Sequence, residues 1–240
     1  MSPTRSDLEL AVAAYWKTKG EQLAAAEAIR STAEGTSKAI RGGKHFNPVV
    51  NLISRFFLDA GYPESSIGAT GARTNLPAYY RPAKAWDLVV VHRGVLVAAI
   101  ELKALGGPSF GNNYNNRVEE ALGNASDLSR AHLASLTGPE VPWLGYFFMM
   151  QDHPKSRRPC RKPNGKSFEF DGIWKGRSYQ DRFSVTGERL LDERVYDAVC
   201  YLVSSADDPG PREPSKRLDW QHFCAALDAR LTYLSKLGYP

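Results

Sequence analysis

Cysteine is scarce in this 240-residue chain: Cys160, Cys200 and Cys224 are odd in number and far apart. They suggest neither a disulfide framework nor a zinc site. The five histidines, His45, His92, His132, His153 and His222, fall at no metal-ligand spacing, which disfavours a histidine-held metal. No apolar run approaches the length of a bilayer span. The first apolar residues belong to a long amphipathic pattern, not to a compact hydrophobic region before a cleavage site. A soluble cytoplasmic protein without a signal peptide is therefore expected. There is no internal repeat and no low-complexity tract.

Hydrophobic residues make up 42% of the chain and charged residues 24%. That suffices for a real core and argues against disorder. The net charge of +5 and pI near 9.1 mildly favour a polyanionic partner.

The region Leu8–Ala33 has helical periodicity, with a possible interruption at Gly20; Gly35–Lys44 reads as a loop. Asn47 as N-cap and Pro48 at the first helical position open a second helix, with Val49, Val50, Leu52, Ile53, Phe56 and Phe57 on its apolar face and Gly61 at its close. Ser65–Lys84 is rich in Gly, Pro and Tyr and has room for one short strand. Gly106, Gly107, Pro108 and Gly111 break the chain before a helix expected from Asn116, with Glu119 completing a capping box. On that helix Val118, Ala121, Leu122, Ala125 and Leu128 face inward, and Arg117, Glu120, Asn124 and Asp127 face elsewhere. Pro142–Met150 reads as a buried strand, Glu188–Val203 as an amphipathic helix and Leu218–Leu237 as a closing helix. The order of elements predicts a mixed α/β layer structure.

The stretch AWDLVVVHRGVLVAAIELKALGG, from Ala85, carries the most informative chemistry. Leu88–Val91 and Val95–Ile100 are two apolar strands, too greasy for a one-sided sheet. Glu101 and Lys103, two apart, share a face. A three-residue turn at His92–Gly94 sets Asp87 opposite Ala99, on that same face; a two-residue turn sends it to the other. In the first register two carboxylates and an ammonium converge. Two carboxylates can hold Mg²⁺, which lowers the pKa of a bound water and stabilises charge on a phosphate. Glu-x-Lys by itself is common, and at a strand end it is usually a solvated surface pair.

Asp87, thirteen residues, then Glu101-Leu102-Lys103 on a hairpin resembles the PD-(D/E)xK nuclease signature, with Ala85-Trp86 where a Pro usually precedes the Asp. LPAYYRPAKAWDLVVV from Leu76, IELKALGGPSFGNNYNNRVEEALGNASDL from Ile100, QDHPKSRRPC from Gln151, SYQDRF, and ERVYDAVCYLVSS look like the XhoI-type family of type II restriction endonucleases, from about Gly42 to Ser205. That resemblance implies a PD-(D/E)xK restriction-endonuclease-like fold, a central mixed β-sheet flanked by helices, as one domain over residues 1–240. It implies a bacterial or archaeal, Mg²⁺-dependent homodimer that cuts duplex DNA at CTCGAG after the first C, leaving 5′ overhangs. A partner DNA methyltransferase follows genetically. By resemblance, Asp87 and Glu101 are metal ligands, the Leu102 carbonyl completes the metal shell, and Lys103 is the catalytic lysine. For an additional acid, Asp59, Glu27, Glu119 and Glu120 are weaker candidates.

A palindrome calls for a two-fold symmetric protein. Asn and Gln suit adenine, and Arg and Lys suit guanine. Asn112, Asn113, Asn115, Asn116 and Arg117 are candidates near DNA, although Asn116 also fits a plain helix cap. Tyr79, Tyr80, Arg81 and Lys84 can track phosphates or form a packed surface loop. Lys155, Arg157, Arg158, Arg161, Lys162 and Lys166, six basic residues in twelve, make a phosphate-binding arm or a solvated loop. Two rivals stand beside the restriction-enzyme reading: another nuclease of this fold, and a non-catalytic DNA-binding protein.

Overall fold

The computed structural model describes residues 3–32, 43–107, 109–161 and 167–240, without the side chains of residues 26–44. Most of the expected Gly35–Lys44 loop, Pro108, Lys162, Lys166 and the side chain of Glu27 lie outside the described residues. The first helix, α1 (Arg5–Thr32), passes through Gly20 unbroken. It opens with Thr4 and Asp7 exchanging hydrogen bonds.

The second helix, α2 (Asn47–Asp59), is preceded directly by a 3-10 turn. Asn47 is therefore the first helical residue and Phe46 stands at the cap without a side-chain bond. All six predicted face residues of α2 are buried, and Gly61, at φ +92, closes it. The Gly-Pro-Tyr region holds more strand than its composition suggests: β1 (Ile67–Gly68), β2 (Asn75–Pro77) and β3 (Ala83–Ala85). β2 and β3 pair as a separate two-stranded ribbon.

The hairpin follows as β4 (Leu88–His92) and β5 (Val95–Leu105). Then come α3 (Phe110–Leu133), β6 (Leu144–Gln151), the one-turn α4 (Pro154–Arg157), α5 (Tyr179–Asp192), β7 (Ala198–Ser204) and α6 (Trp220–Lys236). The five-stranded sheet has the order β1-β4-β5-β6-β7, antiparallel on the β1-β4-β5 side and parallel from β5 to β7. The expected mixed sheet flanked by helices is what the chain forms.

Two apolar layers sandwich the sheet. α1, α2 and α6 supply Tyr15, Phe56, Phe57, Phe223 and Leu227 to one face. α3 and α5 cover the other, where Phe110, Ala125, Leu128, Phe183 and Leu190 meet Tyr146, Phe148 and Tyr201. Burial on both faces explains the continuous apolar runs of β4 to β7.

Two helix expectations need correction. α3 starts at Phe110, six residues before Asn116 and straight through Gly111, so there is no capping box at Asn116. Leu122 on it is exposed, whereas Asn124 and Asp127 are buried. Glu188–Val203 is not one helix. It divides into the last turn of α5 and the strand β7. Ala198–Ser204 is buried at every position, so no polar side was there to set a period. The real start of α5 is the capping box of Ser178 and Asp181.

Candidate active site

The hairpin register decides whether the charged residues meet. The turn is the two-residue kind: His92 pairs with Val95 across Arg93 (φ 48) and Gly94 (φ 78), the left-handed pair of a type I′ turn. By parity alone this would separate Asp87 from Glu101. A β-bulge prevents it. Val91 pairs with Leu96 but Val90 pairs with Ala98, leaving Val97 as the extra residue. Val97 and Ala98 consequently pack into the same layer, between α1, α2 and α6 and the sheet. From there Leu88 pairs with Ile100. One step further sets Asp87 against Glu101 rather than Ala99, on the shared face. The predicted convergence holds, through a turn plus a bulge.

On that face the cluster is tight. Glu101 is only 2% exposed. Lys103 Nζ ion-pairs with Glu101 Oε1 and lies 3.3 Å from Asp87 Oδ2. Asp87 Oδ2 also accepts from the Leu102 backbone N–H at 2.8 Å, along the edge of β5 that β4 no longer covers. A strand residue's carbonyl leaves on the same edge as its N–H, so Leu102 turns its carbonyl toward the gap beside Asp87. The Asp87 side chain is 40% exposed and forms the open mouth of the site. Burial works against the charge on Lys103, but Glu101 and Asp87 outweigh it and raise its pKa. Its two carboxylate neighbours thus favour the ammonium form of Lys103.

A divalent cation fits this donor set. A buried carboxylate demands positive charge, and both oxygens of Glu101 already face cations: Lys103 on Oε1 and Lys84 on Oε2 at 2.9 Å. Asp87, Glu101 and the Leu102 carbonyl are hard oxygen donors of the kind Mg²⁺ takes. Among the described residues no group of three or more His, Cys, Asp or Glu forms a metal cluster, so water would complete the shell.

Asn124 and Asp127 escaped the sequence reading. Asn124 Nδ2 approaches Glu101 Oε1 at 3.4 Å and its Oδ1 accepts from Arg81 at 2.7 Å. Asp127 accepts from the backbone N–H groups of Tyr79 and Tyr80 at 2.7 and 2.9 Å and from Arg81 Nε at 2.7 Å. Their signal was the spacing of three, which repeats along one stripe of α3 among small apolar neighbours. Tyr146, paired with Glu101 across the sheet, is fully buried beneath the site. Its hydroxyl has no hydrogen-bond partner among the described residues, and burial pushes its phenol upward.

The DNA-facing candidates divide into two groups. Asn112, Asn115, Asn116, Tyr80, Lys155 and Arg158 are exposed and Asn113 half-exposed. The other four bind carboxylates: Arg81 holds Asp127, Lys84 holds Glu101, Arg117 holds Glu120 at 2.7 Å, and Arg157 grips Asp152 with two bonds of 2.6 and 2.7 Å. The start of α3 meets the basic segment, with the rings of Phe110 and His153 5.8 Å apart. Asn112 lies about 18 Å along α3 from Asn124, twelve residues at about 1.5 Å each. Of the weaker acid candidates, Glu119 is exposed and Glu120 is taken by Arg117. Asp59 lies near the end of α2, whose apolar face packs on the side of the sheet opposite the Asp87–Glu101–Lys103 cluster.

A family and several known proteins resemble this chain. The family described as "Restriction endonuclease XhoI" matches residues 27–212. The type II restriction enzyme BstVI of Geobacillus stearothermophilus is 36% identical over 176 residues, 71% of this chain and 78% of that protein. The type II restriction enzyme XhoI of Xanthomonas vasicola is 35% identical over 184 residues, 76% of this chain and 73% of its own. A third, AbrI of Azospirillum brasilense, is 43% identical over 99 residues, 41% of this chain and 45% of its own. No solved structure matches the chain. With the Asp87–Glu101–Lys103 cluster on a bulged hairpin and the family match across most of its length, the chain belongs to the XhoI family of restriction endonucleases.

Proposed function

We propose that the protein is a Mg²⁺-dependent homodimer, one domain per chain, that cuts both strands of duplex DNA at CTCGAG after the first C, leaving 5′ overhangs. A DNA methyltransferase protecting the same sequence is its genetic partner. The observation that carries this reading is the meeting of Asp87, Glu101 and Lys103 on one face of β4 and β5. The resemblance to a relative named XhoI supports the site sequence.

Asp87, Glu101 and the Leu102 carbonyl would hold the ion. When bound, it lowers the pKa of a water and stabilises charge on the scissile phosphate. Asp87 fixes the edge of β5 through the Leu102 N–H. Lys103 orients the attacking water and stabilises negative charge developing on the phosphate. Asn124 holds the Glu101 carboxylate in orientation. Tyr80, Asn112, Asn113, Asn115, Asn116, Lys155 and Arg158 present donors to DNA. Arg81, Lys84, Arg117 and Arg157 serve the site or its frame through their carboxylate partners.

The test is a linear duplex with one CTCGAG, incubated with and without Mg²⁺. Wild type should give two defined fragments only with Mg²⁺, and Glu101→Ala should be slower by about a thousandfold or more, since several kcal/mol of stabilisation disappear. Intact CTCGAG DNA alongside a discrete genomic ladder would mean another recognition sequence. A smear would mean a non-specific nuclease, and no cutting at all would mean a binding protein.

A further inference from the structure

Lys84 is not part of the Glu101-Leu102-Lys103 triplet, yet it reaches the same carboxylate. It projects from the β2–β3 ribbon, opposite Leu76, and its Nζ meets Glu101 Oε2 at 2.9 Å with only 16% of the side chain exposed. It also donates to the Ala85 carbonyl and lies 5.1 Å from the centre of the Trp86 ring. Trp86 is itself buried, and its backbone N–H donates to the Thr74 carbonyl at 3.0 Å. The preceding turn is fastened to α3 by Asp127. The Lys84 ammonium is thus held by three contacts, the Glu101 carboxylate, the Ala85 carbonyl and the Trp86 ring.

The two ammonium groups at Glu101 differ in position. Lys103 touches Glu101 Oε1 and Asp87 Oδ2 together, so it stands between the carboxylates, where an ion shared by both must go. Lys84 approaches the other oxygen, Oε2, and does not touch Asp87. Before any ion arrives, the charges of Asp87, Glu101, Lys84 and Lys103 sum to zero. An ion displacing Lys103 from between the carboxylates leaves Lys84 undisturbed. A second ion at Oε2 meets a fixed ammonium.

On the reading of this site as metal-dependent, we propose that Lys84 is a built-in second cation. It holds Glu101 through Oε2, keeps Oε1 directed at Asp87, and occupies the place a second divalent ion would take. Each active site then binds one ion. Lys84 is a positioning residue, acting on the reaction through Glu101.

Mn²⁺ titrated calorimetrically into the full chain tests this. Wild type should bind one ion per chain, and Glu101→Ala should abolish that binding. Lys84→Met removes the charge and keeps most of the stem. It should bind a second ion, or bind the first about tenfold more tightly, because a nearby positive charge has gone. Its Mg²⁺-supported cleavage should fall about 10- to 100-fold. A lysine that only packs would move both quantities downward or neither. Lys84→Arg should retain one ion per chain and recover most of the cleavage, which also covers a Met variant that fails to fold. Two ions per wild-type chain, Mn²⁺ binding unchanged or weaker in Lys84→Met, or a second ion in folded Lys84→Arg would overturn the proposal. Wild type that binds no Mn²⁺ would instead overturn the metal-dependent reading beneath it.

Discussion

Asp127 does several jobs with one carboxylate. Oδ1 takes two backbone N–H groups from the Tyr79–Tyr80 turn, and Oδ2 takes Arg81, which in turn holds Asn124 against Glu101. Burial alone would raise its pKa, but the Tyr80 and Tyr79 N–H groups and Arg81 prevail and lower it. Replacing it by Ala leaves two N–H groups without their acceptor and should cost about 2–3 kcal/mol in denaturant unfolding. The sign of the pH effect follows from the lowered folded pKa. Its contribution is complete above the ordinary value of 3.8 and is lost as pH falls through the lower folded value. Thermal melts between about pH 5 and pH 2 should therefore show a fall in wild type that is smaller in Asp127→Asn. Asn124 and Asp127 were hidden in the sequence because a polar residue on a helix reads as solvent-facing by default. Only the approach of the Tyr79–Arg81 turn, a long-range contact, makes that stripe an interior.

At the scale of elements, the hairpin shows how a right conclusion came from a partly wrong register. The apolar runs, Asp87 and the Glu-x-Lys pair were all legible. The bulge was not, because Val97 is as apolar as its neighbours and nothing local marks it as the extra residue. Arg93 and Gly94 take on the left-handed turn. Gly94→Val, which forces a branched residue to positive φ, should cost about 1–3 kcal/mol. Arg93→Asn should gain a few tenths of a kcal/mol or slightly more. Chemical denaturation of the two variants checks both signs, and Gly94→Val should lose activity in proportion to any slip of Asp87. The other misread elements have a common cause. The Asn-rich start of α3 has poor helix propensity and is rescued by docking of Phe110 and Tyr114 on the α5 side. β7 has no exposed face, so its apolar run fits helix and strand equally well.

For the whole molecule, the sequence disclosed the class of architecture, both covered sheet faces and the meeting of Asp87, Glu101 and Lys103 on one face. It could not show which basic residues are free. Arg157 and Arg158 are adjacent and both exposed, yet Arg157 is held by Asp152 while Arg158 makes no side-chain hydrogen bond or ion pair among the described residues. That difference predicts different salt behaviour in DNA binding with Ca²⁺ in place of Mg²⁺. Arg158→Ala should reduce the slope of log K against log salt by about 0.9, and Arg157→Ala should leave it near wild type. Equal slopes for the two would mean that Asp152 releases its partner when DNA arrives.

The place of β5 has a consequence for how the enzyme fails. Glu101 and Lys103 lie on the middle strand of five, just past the end of its β4 pairing but still paired with Tyr146 and Phe148 of β6. Its amide protons should be among the slowest in the molecule to exchange with deuterium, opening only when the entire fold opens. β6 holds the Glu101–Lys103 segment in register along its whole length. Cleavage should then disappear in the same denaturant interval as the tertiary signal, so that a surviving population is a population of intact scissors.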